Sequence, residues 1–327
     1  YEVFPDRGLY LEDLRKVSPY LTGKGQDFKE LENGVELIAN GDFTQISSEI
    51  VSNWDMEGGF TFAVANDWSV EDGTASYISG SGVYISADYS QKITTSNGIA
   101  KFRHQNIAVT SGTSYLASCW VKSDIAQSII FRDQNGAAGD VDSTTVTLVA
   151  DTWTELSFFQ TKGNTTLVPE IATLTNQSAY ILIDNVSFKE VGQNWTVNDG
   201  WSLGTDKAIW DADSAAQNEN INQSIAFGAN KSYKITFTIA DVEGAPVQVL
   251  MRAEGGSTFQ DITDSWEDLT AGTYTKYFHS LYDNTRFDIS GRTDTGADDG
   301  DSFSITDISV KELATIWPTT KTSIESF

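Results

Sequence analysis

Trp120, Arg132, Arg103 and His104 are the side chains whose types and spacing best suit a binding chemistry. An indole offers a flat apolar face. A guanidinium or imidazole beside it adds planar hydrogen-bonding groups, and together they can hold a ring that is apolar on its face and polar at its rim. Trp120 lies in SYLASCWVKSD, where Tyr115, Ala117, Cys119 and Val121 occupy the alternate positions, so it should point away from the core those four residues build. Arg132, in SIIFRD, alternates away from Phe131, and Arg103 and His104, in KFRHQN, are expected to reach the same face as Trp120. Trp54 and Trp210 lie in or beside two loop-like segments, GGFTFAVANDW (Gly58 to Trp68) and DKAIWDADSAAQNEN (Asp206 to Asn220), and are further ligand candidates. Trp68 and Trp201 share a Trp-Ser-hydrophobic pattern that places both in the core. A competing reading packs Trp120 under a long loop or against a second domain and pairs Arg132 with an acid.

Bond-making chemistry has less to stand on. The chain has no GxSxG elbow, HExxH pair, phosphate loop or CxxC. Its two histidines, His104 and His279, cannot join Cys119 in a metal cluster, and Cys119 reads as a small core residue. TDTGADDGD (Thr293 to Asp301) is acid-rich but lacks EF-hand spacing. No enzymatic activity is expected. Asn-x-Ser/Thr triplets at Asn164, Asn176, Asn185, Asn194, Asn222 and Asn230 matter only in a glycosylating compartment.

The elements that carry these residues occur twice. QNIAVTSGTSYLASCWVKSD (from Gln105) is answered by QSIAFGANKSYKITFTIAD (from Gln223), setting Ile107 against Ile225 and Tyr115 against Tyr233. SIIFRDQNG is answered by QVLMRAEGG, setting Arg132 against Arg252, and that recurrence favours a structural role for the arginine. DTWTELSFF is answered by GTYTKYFHS, and IDNVSFKEV by ITDISVKEL, at offsets that drift only from 118 to 122. Self-similarity at this period indicates duplicated domains rather than a short solenoid repeat. Short alternating runs bounded by Gly, Asn, Asp and Ser predict an all-β protein of two tandem antiparallel β-sandwich domains. The expected division is a leader at 1–35, a first sandwich at 36–191, a second at 192–313 and a tail at 314–327. In the leader, RGLYLEDLRKVSPYL could form a short helix ended by Pro19. Apolar residues of the leader and tail need a surface to pack on, either the chain's own domains or a neighbouring subunit.

The chain has 327 residues and a net charge of −25, from 46 acidic and 21 basic residues. Such a field repels nucleic acid and anionic membranes, favours solubility and attracts divalent cations. No apolar run approaches the roughly 20 residues that span a bilayer, so no membrane insertion is expected. A single cysteine rules out an internal disulfide. YEVFPDRGLY has neither a start methionine nor a signal sequence, which suggests a processed chain or a fragment.

Two motifs bracket the expected first sandwich: ELIANGDFT (Glu36 to Thr44) and YILIDNVSFKEV (Tyr180 to Val191). An opening N-G-[DG]-F with a closing hydrophobic-Asp-[Asn/Asp]-Val-x-hydrophobic resembles carbohydrate-binding modules with the galactose-binding-like jelly-roll fold, which accompany polysaccharide hydrolases. Tandem copies ending in SFKEV or SVKEL also resemble modules of phage tail fibres and head decorations. The resemblance implies a glycan partner for the surface aromatics. It further implies a structural Ca²⁺ held by Asp42, Asp184 and the carbonyl near Asn40, clamping first strand to last. In the second copy Thr306 replaces Asp184, so no second ion is expected. The leading functional expectation is a non-enzymatic virion protein, a fibre or decoration subunit at the virion or extracellular surface. It would form a homo-oligomer and attach to host glycans. The alternatives are the glycan-binding region of a secreted hydrolase, and a ligand-free filament or shell subunit.

Overall fold

The structure, a computed structural model, describes residues 35–86, 88–134, 143–198, 200–211, 220–244, 247–255, 258–263, 267–293 and 301–313. The expected leader helix, the tail and most of TDTGADDGD lie outside them. Among the described residues every regular element is a β-strand. The cause is local. Side chains alternate between faces with period two, and runs such as Tyr233, Ile235, Phe237 and Ile239 place every apolar residue on one face. All four are buried, as are their counterparts Tyr115, Ala117, Cys119 and Val121. Burial holds the Cys119 thiol well above its ordinary pKa, with Glu155 adding to the shift, so the sulfur behaves as an apolar atom.

The chain forms two compact units. Among the described residues, one comprises Thr44–Gln193 and Ser202–Gly204; the other comprises 35–43, Asn194–Trp201 and 205–313. In the first unit, one sheet runs in the order 154–161, 114–123, 180–191, 89–94, 74–79, with 46–49 added beside 180–191. The facing sheet runs 143–148, 127–133, 169–173, 101–104, 68–72. Their inner faces meet in a core that includes Phe102, Phe131, Phe188, Ile129, Ile171 and Ile183. Edge-to-face contacts among Phe131, Phe158 and Phe188, at 5.2 to 6.0 Å, lock its centre.

The second unit repeats this plan. One sheet carries 207–211, 302–313, 231–243 and 272–280 as neighbours; the other runs 196–197, 220–227, 284–293, 247–255, 258–261. The register is inherited as well as the order. Tyr115 stands opposite Glu190 as Tyr233 stands opposite Glu312, and Arg132 opposite Glu170 as Arg252 opposite Asp288. The closing motif is the signature of a β-bulge. Asn185 and Asp307 take matching left-handed conformations (φ 49° and 53°), and the next residue, Val186 or Ile308, turns back into the core. Asn and Asp tolerate that backbone best after Gly, which explains the polar residue before the last apolar run.

The boundary between the units is not where the sequence motifs suggested. ELIANGDF belongs to the second unit. The Leu37 amide donates to the Val310 carbonyl, the Ile308 amide to the Gly41 carbonyl, and the Trp195 indole N–H to the Asn40 carbonyl. A Cβ at Gly41 would stand 1.8 Å from the Ile308 carbonyl oxygen, so no side chain fits at this position. The first sandwich opens instead with EIVSNWDM, thirteen residues later, which matches ELIANGDF position for position. Asn53 and Met56 repeat the positive φ of Asn40 and Phe43 (48° and 60° against 53° and 56°). The Val186 amide donates to the Trp54 carbonyl just as the Ile308 amide does to Gly41. Glu49 accepts the Phe188 amide and the Ser187 hydroxyl; Glu36 accepts the Val310 amide and the Ser309 hydroxyl. The first sandwich is therefore an insertion between the opening motif of the second and the rest of it.

Candidate functional site

Trp120 stands where alternation puts it, half-buried on the outer face of strand Ser114–Ser123. Its register partners are the exposed Glu155 on one side and the fully buried Asp184 on the other. Asp184 is sealed by the segment that crosses this face: its carboxylate accepts the amides of Ile85 (2.7 Å), Ser86 (3.2 Å) and its neighbour Asn185 (2.8 Å). Burial raises its pKa to about 6, against the opposing pull of those three amides. The Lys122 ammonium reaches the Gly82 carbonyl at 3.4 Å, so the same segment flanks Trp120.

The arginines do not join Trp120. They lie on the outer face of the other sheet, and the outer faces of a sandwich look away from each other. There Glu170, fully buried, is held between them. Arg103 donates Nε (3.0 Å) and an Nη (2.6 Å) to one oxygen, while Arg132 donates Nε (2.9 Å) and an Nη to the other. Arg103 also pairs with Glu71. The second unit keeps an Arg–acid cluster at the matching place: Arg252 pairs with Asp261, and Arg286 holds the buried Asp288 and Glu254. Both units therefore pair the recurring arginine with an acid.

His104 is a core residue. Consecutive strand residues face opposite sides, so it points inward where Arg103 points outward. It is buried edge-on to Trp68, its Nε2 is 3.0 Å from the Ser52 hydroxyl, and burial lowers its pKa. Trp54 packs against the core, and Trp210 is wholly inside, tilted on Phe303 at 5.5 Å. Trp68 and Trp201 are core, as expected. Of the calcium ligands the resemblance implies, the Asp184 carboxylate already accepts three amides. The Asn40 carbonyl already accepts the Trp195 indole, and no cluster of three or more His, Cys, Asp or Glu suited to a metal occurs among the described residues.

The structure assembles a different group of aromatics from GGFTFAVANDW and the neighbouring edge strand. Phe60, Tyr77 and Tyr89 meet at 4.8 to 5.9 Å between ring centroids, and Tyr77 is 54% exposed. Phe62, at the tip of hairpin 60–65, is 98% exposed. The sequence reads this segment as loop-like, and Phe62-Ala63 carries none of the Gly or Asn that would mark a two-residue turn there.

No family model and no curated protein sequence matches the chain. It is similar to the solved structure of TmCBM61 in complex with β-1,4-galactotriose, at 16% identity over 43% of this chain and 98% of that one, with a TM-score of 0.36. It is also similar to the N-terminal CBM22-1–CBM22-2 tandem domain of Paenibacillus barcinonensis Xyn10C, at 13% identity over 82% of this chain and 98% of that one, with a TM-score of 0.34. A third similarity is to the enzymatically active domain of tailspike protein 4 from bacteriophage CBA120, at 18% identity over 43% of this chain and 21% of that one, with a TM-score of 0.34.

Proposed function

We propose that the chain is a non-enzymatic glycan-binding protein, a virion fibre or decoration subunit whose sandwiches attach to host-surface carbohydrate. The observation that carries this reading is the placement of aromatic rings at the surface of the first unit, Trp120 on an outer face and Phe60, Phe62 and Tyr77 at an edge, on a rigid frame with a complete core of its own. Flat aromatic faces bind the C–H faces of sugar rings, while polar groups at the rim read hydroxyls. Acid–base catalysis finds little support. Four of the five buried carboxylates among the described residues, Asp133, Glu170, Asp184 and Asp288, are occupied by Lys162, by two arginines, by three amides and by Arg286 respectively. The fibre or decoration reading draws on the tandem closing motifs and on the leader and tail that lie outside both repeats.

A glycan array with the full chain tests the binding. Bound glycans, with weaker binding by Trp120→Ala, are expected; no binding to any glycan would overturn the reading. Light scattering after size exclusion tests the subunit role. A defined oligomer is expected, and a strict monomer would favour a hydrolase appendage.

A further inference from the structure

We propose that hairpin 60–65 and edge strand Thr74–Ser79 form a sugar-binding site in the first unit, and that its ligand is an uncharged polysaccharide chain; this rests on the glycan-binding reading above.

The first observation is the turn. Phe60 pairs with Ala65 and Thr61 with Val64, which leaves Phe62 and Ala63 as a two-residue loop, both with left-handed backbone (φ 50° and 69°). This hairpin geometry strongly prefers Asn-Gly, because a Cβ crowds the following carbonyl when φ is positive. A bulky residue there is rare, and such conformations persist where the surroundings enforce them. Here the enforcer is Gln91, fully buried beneath the hairpin. Its Oε1 accepts the Ala65 amide at 2.8 Å, and its Nε2 donates to the Ala63 carbonyl at 3.2 Å. Asn53 and Asn66 brace the base through the carbonyls of Gly58 and Gly59, and the Thr61 hydroxyl donates to the Asn66 side chain. The result is a stiff mount that holds the Phe62 ring almost entirely in water, where it stabilises nothing in the fold.

The second observation is the platform beside it. Phe60, half-buried against the core, lies at 4.8 Å and 30° to Tyr77, which is 54% exposed on the outermost strand of its sheet. A pre-set row of rings binds with little ordering cost.

The third observation is charge. Between Glu30 and Gln91 the chain has no Lys or Arg, while Asp55, Glu57, Asp67 and Asp88 lie within that stretch; Lys92, paired with Ser76 on the platform strand, is turned over the Tyr180 ring at 4.2 Å. Glu57 accepts the amides of Asp88 and Tyr89, which brings a carboxylate to the rim of the platform. Sulfated or uronic-acid chains would be repelled there, whereas neutral hydroxyls can donate to carboxylates and side-chain amides.

The test uses the full chain and two panels: neutral polysaccharides (xylan, mannan, galactan, β-glucan) and anionic ones (polygalacturonate, heparin). The double substitution Phe62→Asn with Ala63→Gly relieves the turn and removes the ring. It is expected to raise the melting temperature while weakening retention by the neutral chains about tenfold or more; Tyr77→Ala weakens retention without the stability gain. Unchanged retention by the double variant, unchanged or lower melting temperature, or preference for the anionic panel would each overturn the assignment. If no polysaccharide of either panel binds the wild type, the glycan reading itself fails. If neutral chains bind and only Trp120→Ala abolishes it, that reading stands and the hairpin site falls. A change in oligomer size in the double variant, with sugar retention intact, would make the hairpin a contact between copies and likewise refute the proposal.

Discussion

Glu170→Gln tests the argument that the arginines are architecture rather than a ligand site. The glutamate side chain is wholly buried, while Arg103 and Arg132 are 25% and 28% exposed. The substitution keeps the shape, removes the charge, and turns an amide NH₂ toward one of two guanidinium groups that can only donate. Arg103 retains Glu71 as a partner. Breaking one side of a fully buried ion pair costs about 3–5 kcal/mol. Partial exposure lets water replace some of what is lost, so about 2–3 kcal/mol is expected here. For a unit of this size that corresponds to a fall in melting temperature of roughly 4–12 °C, measured by calorimetry on the full chain. Glycan binding below the new transition should not change. A melting temperature within about 1 °C of wild type, or a loss of binding with stability intact, would refute the reasoning.

Asp184 has a folded-state pKa of about 6 against 3.8 for the free side chain, so the native state holds its proton more tightly than the unfolded chain. The stability it contributes is fully present below about pH 4 and is lost as pH rises to about 6. Relative to Asp184→Asn, wild-type stability in urea melts should fall by about 3 kcal/mol from pH 4 to pH 7, and a flat difference would sink the idea. Because three amides already occupy that carboxylate, EDTA is expected to leave the melting temperature unchanged; a fall of several degrees would restore the calcium clamp. At Gly291 a Cβ would meet the Trp210 ring at 2.7 Å and Phe303 at 2.8 Å, so Gly291→Ala should cost about 1–3 kcal/mol through overpacking, read from the denaturation midpoint. Joining Phe43 to Asn194 through a short linker removes the inserted sandwich. Because Phe43 already packs on Trp195 at 5.3 Å, the remainder should still unfold cooperatively; an unfolded product would count against the insertion.

The strands of the internal repeat, their inward residues and how the halves correspond were legible in the chain, because alternation is a local property and the duplication copied it; the inward His104 and the strands that carry Phe60 and Trp210 were not. The core positions of Tyr115, Cys119, Tyr233 and Phe237, the outward Trp120 and the recurrence of Arg132 at Arg252 followed from alternation and duplication alone. Pairing was not legible. ELIANGDF carries the opening motif and stands before the first closing motif, yet the chain's path through space assigned it to Ile308 and gave Val186 to EIVSNWDM, which lacks the glycine and the phenylalanine. Likewise, period two says that Trp120 and Arg132 each face outward, but not that their strands belong to opposite sheets. The strained, exposed Phe62 was hidden for the same reason: it exists because Gln91, on another strand, holds the turn from beneath. Local chemistry determined the faces, and long-range hydrogen bonding decided which faces came together.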